Sequence, residues 1–92
     1  MEITFDPAKN AWNIQERGLS FERAAEFDFE TAIFIIDDRK DYGETRYVAV
    51  GYLDRRLHVL CFVETEAGIR VISFRRANAK EGRRYGKAKT ID

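Results

Sequence analysis

The chain has 92 residues, 45% of them hydrophobic and 13% aromatic, enough to fill one small core without disulfide staples. Its one cysteine, Cys61, sits inside the apolar run Leu57 to Val63, which excludes an internal disulfide framework and suggests a small buried hydrophobe. Formal charge is zero and no apolar run approaches the roughly 18 residues of a membrane span, so a soluble cytoplasmic protein with no membrane partner is expected.

The zero charge hides an asymmetry. Residues 1–45 carry five Lys/Arg against eleven Asp/Glu, residues 46–68 carry three of each, and residues 69–92 carry eight against two. The basic stretch Arg70 to Lys89 is therefore the first place to look for a phosphate partner, and an acidic remainder would discourage indiscriminate binding. No repeat, low-complexity tract or Pro/Gly/Ser linker interrupts the chain, so one domain over 1–92 is expected.

Met1 to Phe5 alternates apolar and polar, as a short edge strand does. Asp6-Pro7 reads as a helix start, because Asp accepts an orphan N–H and Pro at the first helical position has none to lose; Gly18 supplies the stop. Trp12 is expected to anchor this helix to the sheet. A second helix is expected from Ser20 as N-cap, with Leu19 stapled to Ala24 and Phe21, Ala24 and Ala25 as its apolar stripe. Ala32 to Ile36 is a β-branched run, ended by the charged loop Asp37 to Gly43, whose acidic residues lack metal-ligand spacing.

Three more strands follow, Glu44 to Gly51, Leu57 to Thr65 and Ile69 to Phe74, separated by the turns Leu53 to Arg56 and Glu66 to Gly68. Ala77 to Ala88 reads as a basic, helical tail. The fold class is α+β: a mostly antiparallel sheet, an antiparallel meander at its centre, with two N-terminal helices on one face and a C-terminal helix.

Arginine favours phosphate because its guanidinium is permanently charged and donates paired hydrogen bonds to two oxygens at once. Arg70 lies on the last strand, Arg75 and Arg76 at its end, and Lys80, Arg83 and Arg84 on the following helix. His58 is the single polar residue of the run Leu57 to Val63, on the face that also carries Leu60 and Phe62. Polar parity on the neighbouring strands picks out Arg46 and Arg70. One concave surface lined by Arg46, His58, Arg70, Arg75 and Arg76 is the expectation if the strand registers agree.

Phe5-Asp-Pro-Ala-Lys-Asn10 with Asn13, Gly18-Leu-Ser-Phe-Glu22 with Ala24, Glu44-Thr-Arg-Tyr47 with Gly51, and Ile69-Arg-Val-Ile-Ser73 with Arg75-Arg-Ala77, Glu81 and Tyr85 together resemble the BrnT family of bacterial toxins. The resemblance implies a ribonuclease toxin of a type II toxin–antitoxin pair with a RelE-like fold. It also implies an antitoxin similar to BrnA, a ribbon-helix-helix protein, and contact with operator DNA only through the toxin–antitoxin complex, which would regulate its own transcription. Many members carry Lys-His-Gly where this chain has Glu16-Arg-Gly18, so Arg17 stands in place of that histidine.

Metal-free RNA cleavage needs a base for the ribose 2′-hydroxyl, cations for the phosphorane and a proton for the leaving 5′-oxygen. Arginine is too weak an acid to serve as the base, so Arg70, Arg75 and Arg76 are cast as charge clamps. Histidine alone ordinarily titrates near neutrality, which makes His58 the candidate for proton transfer, while Glu44, Glu81 or Tyr85 would need shifted pKa values. Similarity to RelE-type toxins places Arg75 or Arg76 and Tyr85 in catalytic positions. Core packing for Tyr85 and Phe74, and an intrahelical pair between Glu81 and Lys80 or Arg84, are the competing structural roles. The catalytic candidates are therefore Arg75, Arg76, His58 and Tyr85, and the RNA-binding ones Arg46, Arg70, Lys80, Arg83 and Arg84; no metal and no cofactor is expected. A non-catalytic module that binds an antitoxin and tunes its DNA binding is the alternative.

Overall fold

The computed structural model describes residues 1–90; Ile91 and Asp92, and the side chains of Ala88, Lys89 and Thr90 at the far end of the basic stretch, lie outside the described residues. In chain order the elements are β1 (Glu2–Phe5), α1 (Pro7–Arg17), a short 3₁₀ helix (Phe21–Glu26), β2 (Ile33–Asp37), β3 (Arg46–Leu53), β4 (Arg56–Glu64), β5 (Gly68–Arg76) and α2 (Ala79–Thr90).

Local chemistry accounts for the boundaries. The Asp6 carboxylate accepts the Ala8 N–H at 2.9 Å, Pro7 opens α1, and Gly18 ends it at φ 65° with its N–H on the Ile14 carbonyl. Ser20 caps the next element through the Glu22 N–H, as expected, but that element is a six-residue 3₁₀ helix and not a second α-helix. The spacing explains the correction. Its buried residues, Phe21 and Ala24, are three apart, which matches three residues per turn, and Ala25 is left exposed. Asp54 and Arg55 both adopt positive φ between β3 and β4, the two-residue hairpin geometry that matches strand twist.

The sheet runs β1-β5-β4-β3-β2. Strands β3 to β5 form the expected antiparallel meander, which β2 extends by pairing antiparallel with β3, but β1 lies parallel to β5, so the sheet is mixed. A parallel neighbour requires a long crossover, here all the chain between Phe5 and Gly68. Gly68 permits the contact, since a Cβ there would collide with the backbone of Glu2.

A bulge decides the faces. Cys61 pairs with Ser73 but Phe62 with Val71, so Ile72 is an extra residue on β5 and the alternation reverses across it. Ile69 and Val71 before the bulge, and Phe74 after it, thereby point to one side, where they meet Ala49, Leu53, Leu60 and Phe62. Leu19, Phe21, Ala24 and Phe27 close this core from above. Helix α2 packs on the opposite face, so the helical elements are split between the two sides of the sheet. Its Tyr85 stands edge-on to Tyr52 at 5.6 Å and donates its hydroxyl to the Thr31 carbonyl at 2.9 Å.

Beyond Val71, β5 has no β1 beside it. Helix α1 takes that place, and the buried Asn13 (1% exposed) donates its amide to the carbonyls of Phe74 at 2.8 Å and Leu19 at 2.9 Å. An edge carbonyl that would otherwise lie buried and unpaired is satisfied this way. Trp12, the expected anchor, is 54% exposed, and Asn13 does the anchoring.

Candidate nucleic-acid interface

Cross-strand partners in an antiparallel pair point to the same face with Cβ atoms about 5 Å apart. His58 on β4 is the direct partner of Arg76 on β5, so both side chains leave the sheet on the core face. They line a cleft of about 550 Å³ with Arg17, Gly18, Leu19, Arg23 and Arg75. No carboxylate is among these lining residues.

His58 is 6% exposed, its ring tilted against Phe74 at 5.7 Å. Its Nδ1 lies 2.8 Å from the Arg56 carbonyl oxygen, which can only accept, so Nδ1 carries a proton and Nε2 is the nitrogen whose lone pair is free whenever the ring is neutral. Arg76 is exposed and has no hydrogen bond or ion pair from its side chain among the described residues. Arg17 is held by the Asn13 amide oxygen at 3.0 Å and more loosely by the Phe74 carbonyl at 3.5 Å. Both partners are neutral, so Arg17 is positioned with its charge uncompensated. Arg23, at the rim, is already paired with Asp54 at 2.7 Å and Glu26 at 3.1 Å, which raises its pKa further.

The other arginines are arranged differently. Arg75 alternates to the face opposite Arg76 and makes a bidentate pair with Glu81, at 2.8 and 2.7 Å. Glu81 also exchanges hydrogen bonds with Asn78, a capping box that starts α2. Glu81 thus bonds back to β5, and the expected pair with Lys80 or Arg84 is not its main contact. The Arg75 hydrogen bonds hold its carboxyl at about 2. Glu44 gathers Arg70 at 2.7 Å and Arg46 at 3.7 Å, while Arg46 stacks on Tyr42 at 3.9 Å.

The expectation of one surface shared by Arg46, His58, Arg70, Arg75 and Arg76 is therefore corrected. Arg70 pairs with Val63, five residues along β4 from His58, which is about 17 Å at strand rise, and on the other face. The bulge puts Arg70 and Arg75 on one side and Arg76 on the other. Lys80, Arg83 and Arg84 lie exposed on α2, away from the cleft lining, and Tyr85 is buried with its hydroxyl committed to Thr31. Phe74 is fully buried. Arg17 and Arg23 were not among the site residues expected from the sequence, because both sit in the acidic half; the signal was the basic residue directly before the helix-ending Gly18.

A histidine with a free ring nitrogen beside arginines that carry uncompensated charge is equipped to bind a phosphodiester and move a proton on it. The family model for "Ribonuclease toxin, BrnT, of type II toxin-antitoxin system" matches residues 5–81, and the chain belongs to this family. His58, Arg75, Arg76 and Arg17 fall within the match, whereas Arg83, Arg84 and Tyr85 lie beyond it. No curated protein matches the chain. No helix among the described residues is long and apolar enough to cross a membrane.

Proposed function

We propose that this chain is a metal-independent endoribonuclease whose working groups are His58, Arg76 and Arg17. The observation that carries the reading is the cross-strand pairing of His58 with Arg76 in a cleft lined by no carboxylate. Nε2 of His58 takes the proton of a ribose 2′-hydroxyl, and the 2′-oxygen attacks the adjacent phosphorus. Arg76 and Arg17 hold the non-bridging oxygens as charge builds on the phosphorane. The 5′-oxygen leaves and takes a proton from water, giving a 2′,3′-cyclic phosphate and a 5′-hydroxyl end, and His58 returns its proton to solvent. Arg75 supports the cleft from its pair with Glu81, and Lys80, Arg83 and Arg84 add long-range attraction for the RNA backbone.

The same family membership supports the rest of the reading: one domain over 1–92 with a RelE-like layout, working in the cytoplasm. Its neutralising partner is a BrnA-like ribbon-helix-helix antitoxin, and operator DNA is reached only through their complex. The antitoxin has a suitable place to dock at β2, an edge strand with one side of its backbone unpaired and with Phe34, Ile35 and Ile36 exposed. Protection of the β2 amides from hydrogen exchange on complex formation is expected.

The test is induction in bacteria of the wild type, His58→Gln and Arg76→Ala, each shown to be folded, with growth, RNA integrity and the chemistry of the new RNA ends followed. Loss of RNA only with the wild type, with cyclic phosphate ends, is expected. Equal RNA loss in all three would remove these residues from the mechanism, and no RNA loss in any would favour a module that only binds.

A further inference from the structure

Trp12 is the one tryptophan of the chain and one of its most exposed large apolar side chains, although it neighbours the buried Asn13 that ties α1 to β5. Core packing does not explain a half-exposed indole at this position. Its surroundings do suggest a ligand. The Arg17 guanidinium carbon lies 4.9 Å from the ring centroid, within cation–π range, and Lys9 is one helical turn back. Trp12, Lys9, Arg17, Ile72 and Ser73 are among the residues lining a recess of about 250 Å³. Arg17 also lines the cleft of His58 and Arg76, so recess and cleft meet at this residue. Neither lining contains an acidic residue, whereas the groove on the other face of the sheet is lined by Asp37, Asp38 and Glu81.

We propose that Trp12 is a stacking platform for an unpaired nucleobase of the RNA whose backbone lies in the His58 cleft, an inference that rests on the RNA-cleaving reading above. An indole offers the largest aromatic surface of any side chain, and stacking takes any base without reading its edge. Arg17 links the two subsites: it rides on the indole while its charge faces the neighbouring phosphate. Only a single strand can present an unstacked base, so the substrate class is single-stranded RNA or a loop, and duplex is disfavoured. A protein surface such as the antitoxin could cover the same indole, but the continuity with a cationic, carboxylate-free cleft favours a nucleic acid.

Because Trp12 is the sole tryptophan, its fluorescence reports on the platform without any substitution. The probe is a 2′-O-methyl single strand, which cannot undergo the 2′-hydroxyl reaction, compared with the same sequence as duplex and with inorganic polyphosphate. Saturable quenching by the single strand alone is expected, with affinity weakened at least about fivefold in Trp12→Ala and less in Trp12→Phe. In the binding assays the proposal is overturned by binding of the single strand, read by anisotropy of a labelled strand, without any change in Trp12 emission; by equal quenching by polyphosphate; or by quenching by the antitoxin but not by RNA. A wild type that quenches with the probe yet leaves unmodified RNA intact keeps the platform and discards the ribonuclease mechanism. A wild type that cleaves, with KM unchanged in Trp12→Ala, does the reverse.

Discussion

The two arginine groups of this molecule differ in what they already hold. On one face Arg70 and Arg75 spend their guanidiniums on Glu44 and Glu81, and Arg46 lies 3.7 Å from Glu44 with no hydrogen bond from its buried Nε; on the other, Arg76 is unpaired among the described residues and Arg17 is gripped by a neutral amide. Charge counted along the chain makes the first group look like the functional one. The contrast teaches that an available cation, and not a cation as such, marks a phosphate site: a guanidinium closed by a carboxylate must give up that bond before it takes another. Asn13 shows how position and charge can be separated, since a carboxylate in its place would orient Arg17 equally well and cancel it.

The largest effect expected from breaking this contrast is on cleavage. Arg76→Ala should lower the rate on labelled RNA by roughly 10²–10³-fold, the size associated with losing one transition-state donor. Arg46→Ala and Arg70→Ala, made in the same assay, should change it little, and an equal loss in all three would erase the distinction between the groups. Next comes Asn13→Ala, which leaves the buried carbonyl of Phe74 without its amide donor and Arg17 without its support. It should destabilise the fold by roughly 1–3 kcal/mol in urea unfolding and lower RNA affinity at matched stability.

The smallest effect concerns Glu81. Its carboxyl is held at about 2 against an ordinary 4.5, first by the Arg75 hydrogen bonds. A depressed folded value means that its contribution to stability is complete above about pH 4.5 and fades as pH falls through about 2. Glu81→Gln should therefore melt below the wild type at neutral pH, with the gap closing as the pH is lowered from 4.5 towards 2. A gap constant with pH would mean that the capping box with Asn78, and not the charge, is what Glu81 supplies.

Much of the fold was legible in the sequence. The α1 boundaries follow from Asp6, Pro7 and Gly18, whose partners lie within four residues, and the β3–β4 hairpin from the short loop at Asp54 and Arg55. The family signature also needed only order and spacing. The proposed site was legible in part: His58 and Arg76 were picked out, but their grouping with Arg46, Arg70 and Arg75 on one surface was not correct. Arg17 was hidden by the charge of its own neighbourhood. The 3₁₀ helix was missed because its caps are those of any helix, and three-residue spacing over six residues resembles a short α-helical stripe.

By itself the sequence determined the caps, turns, apolar runs and family of this protein, because those depend on a few neighbouring residues. Only the tertiary structure decided which arginines share a face with His58, that Asn13 is buried and Trp12 exposed, and that Tyr85 is committed to Thr31. The physical reason lies at Ile72. One extra residue in β5 reverses every side chain beyond it, and whether a bulge forms there depends on how β4 and β5 pack together as a pair.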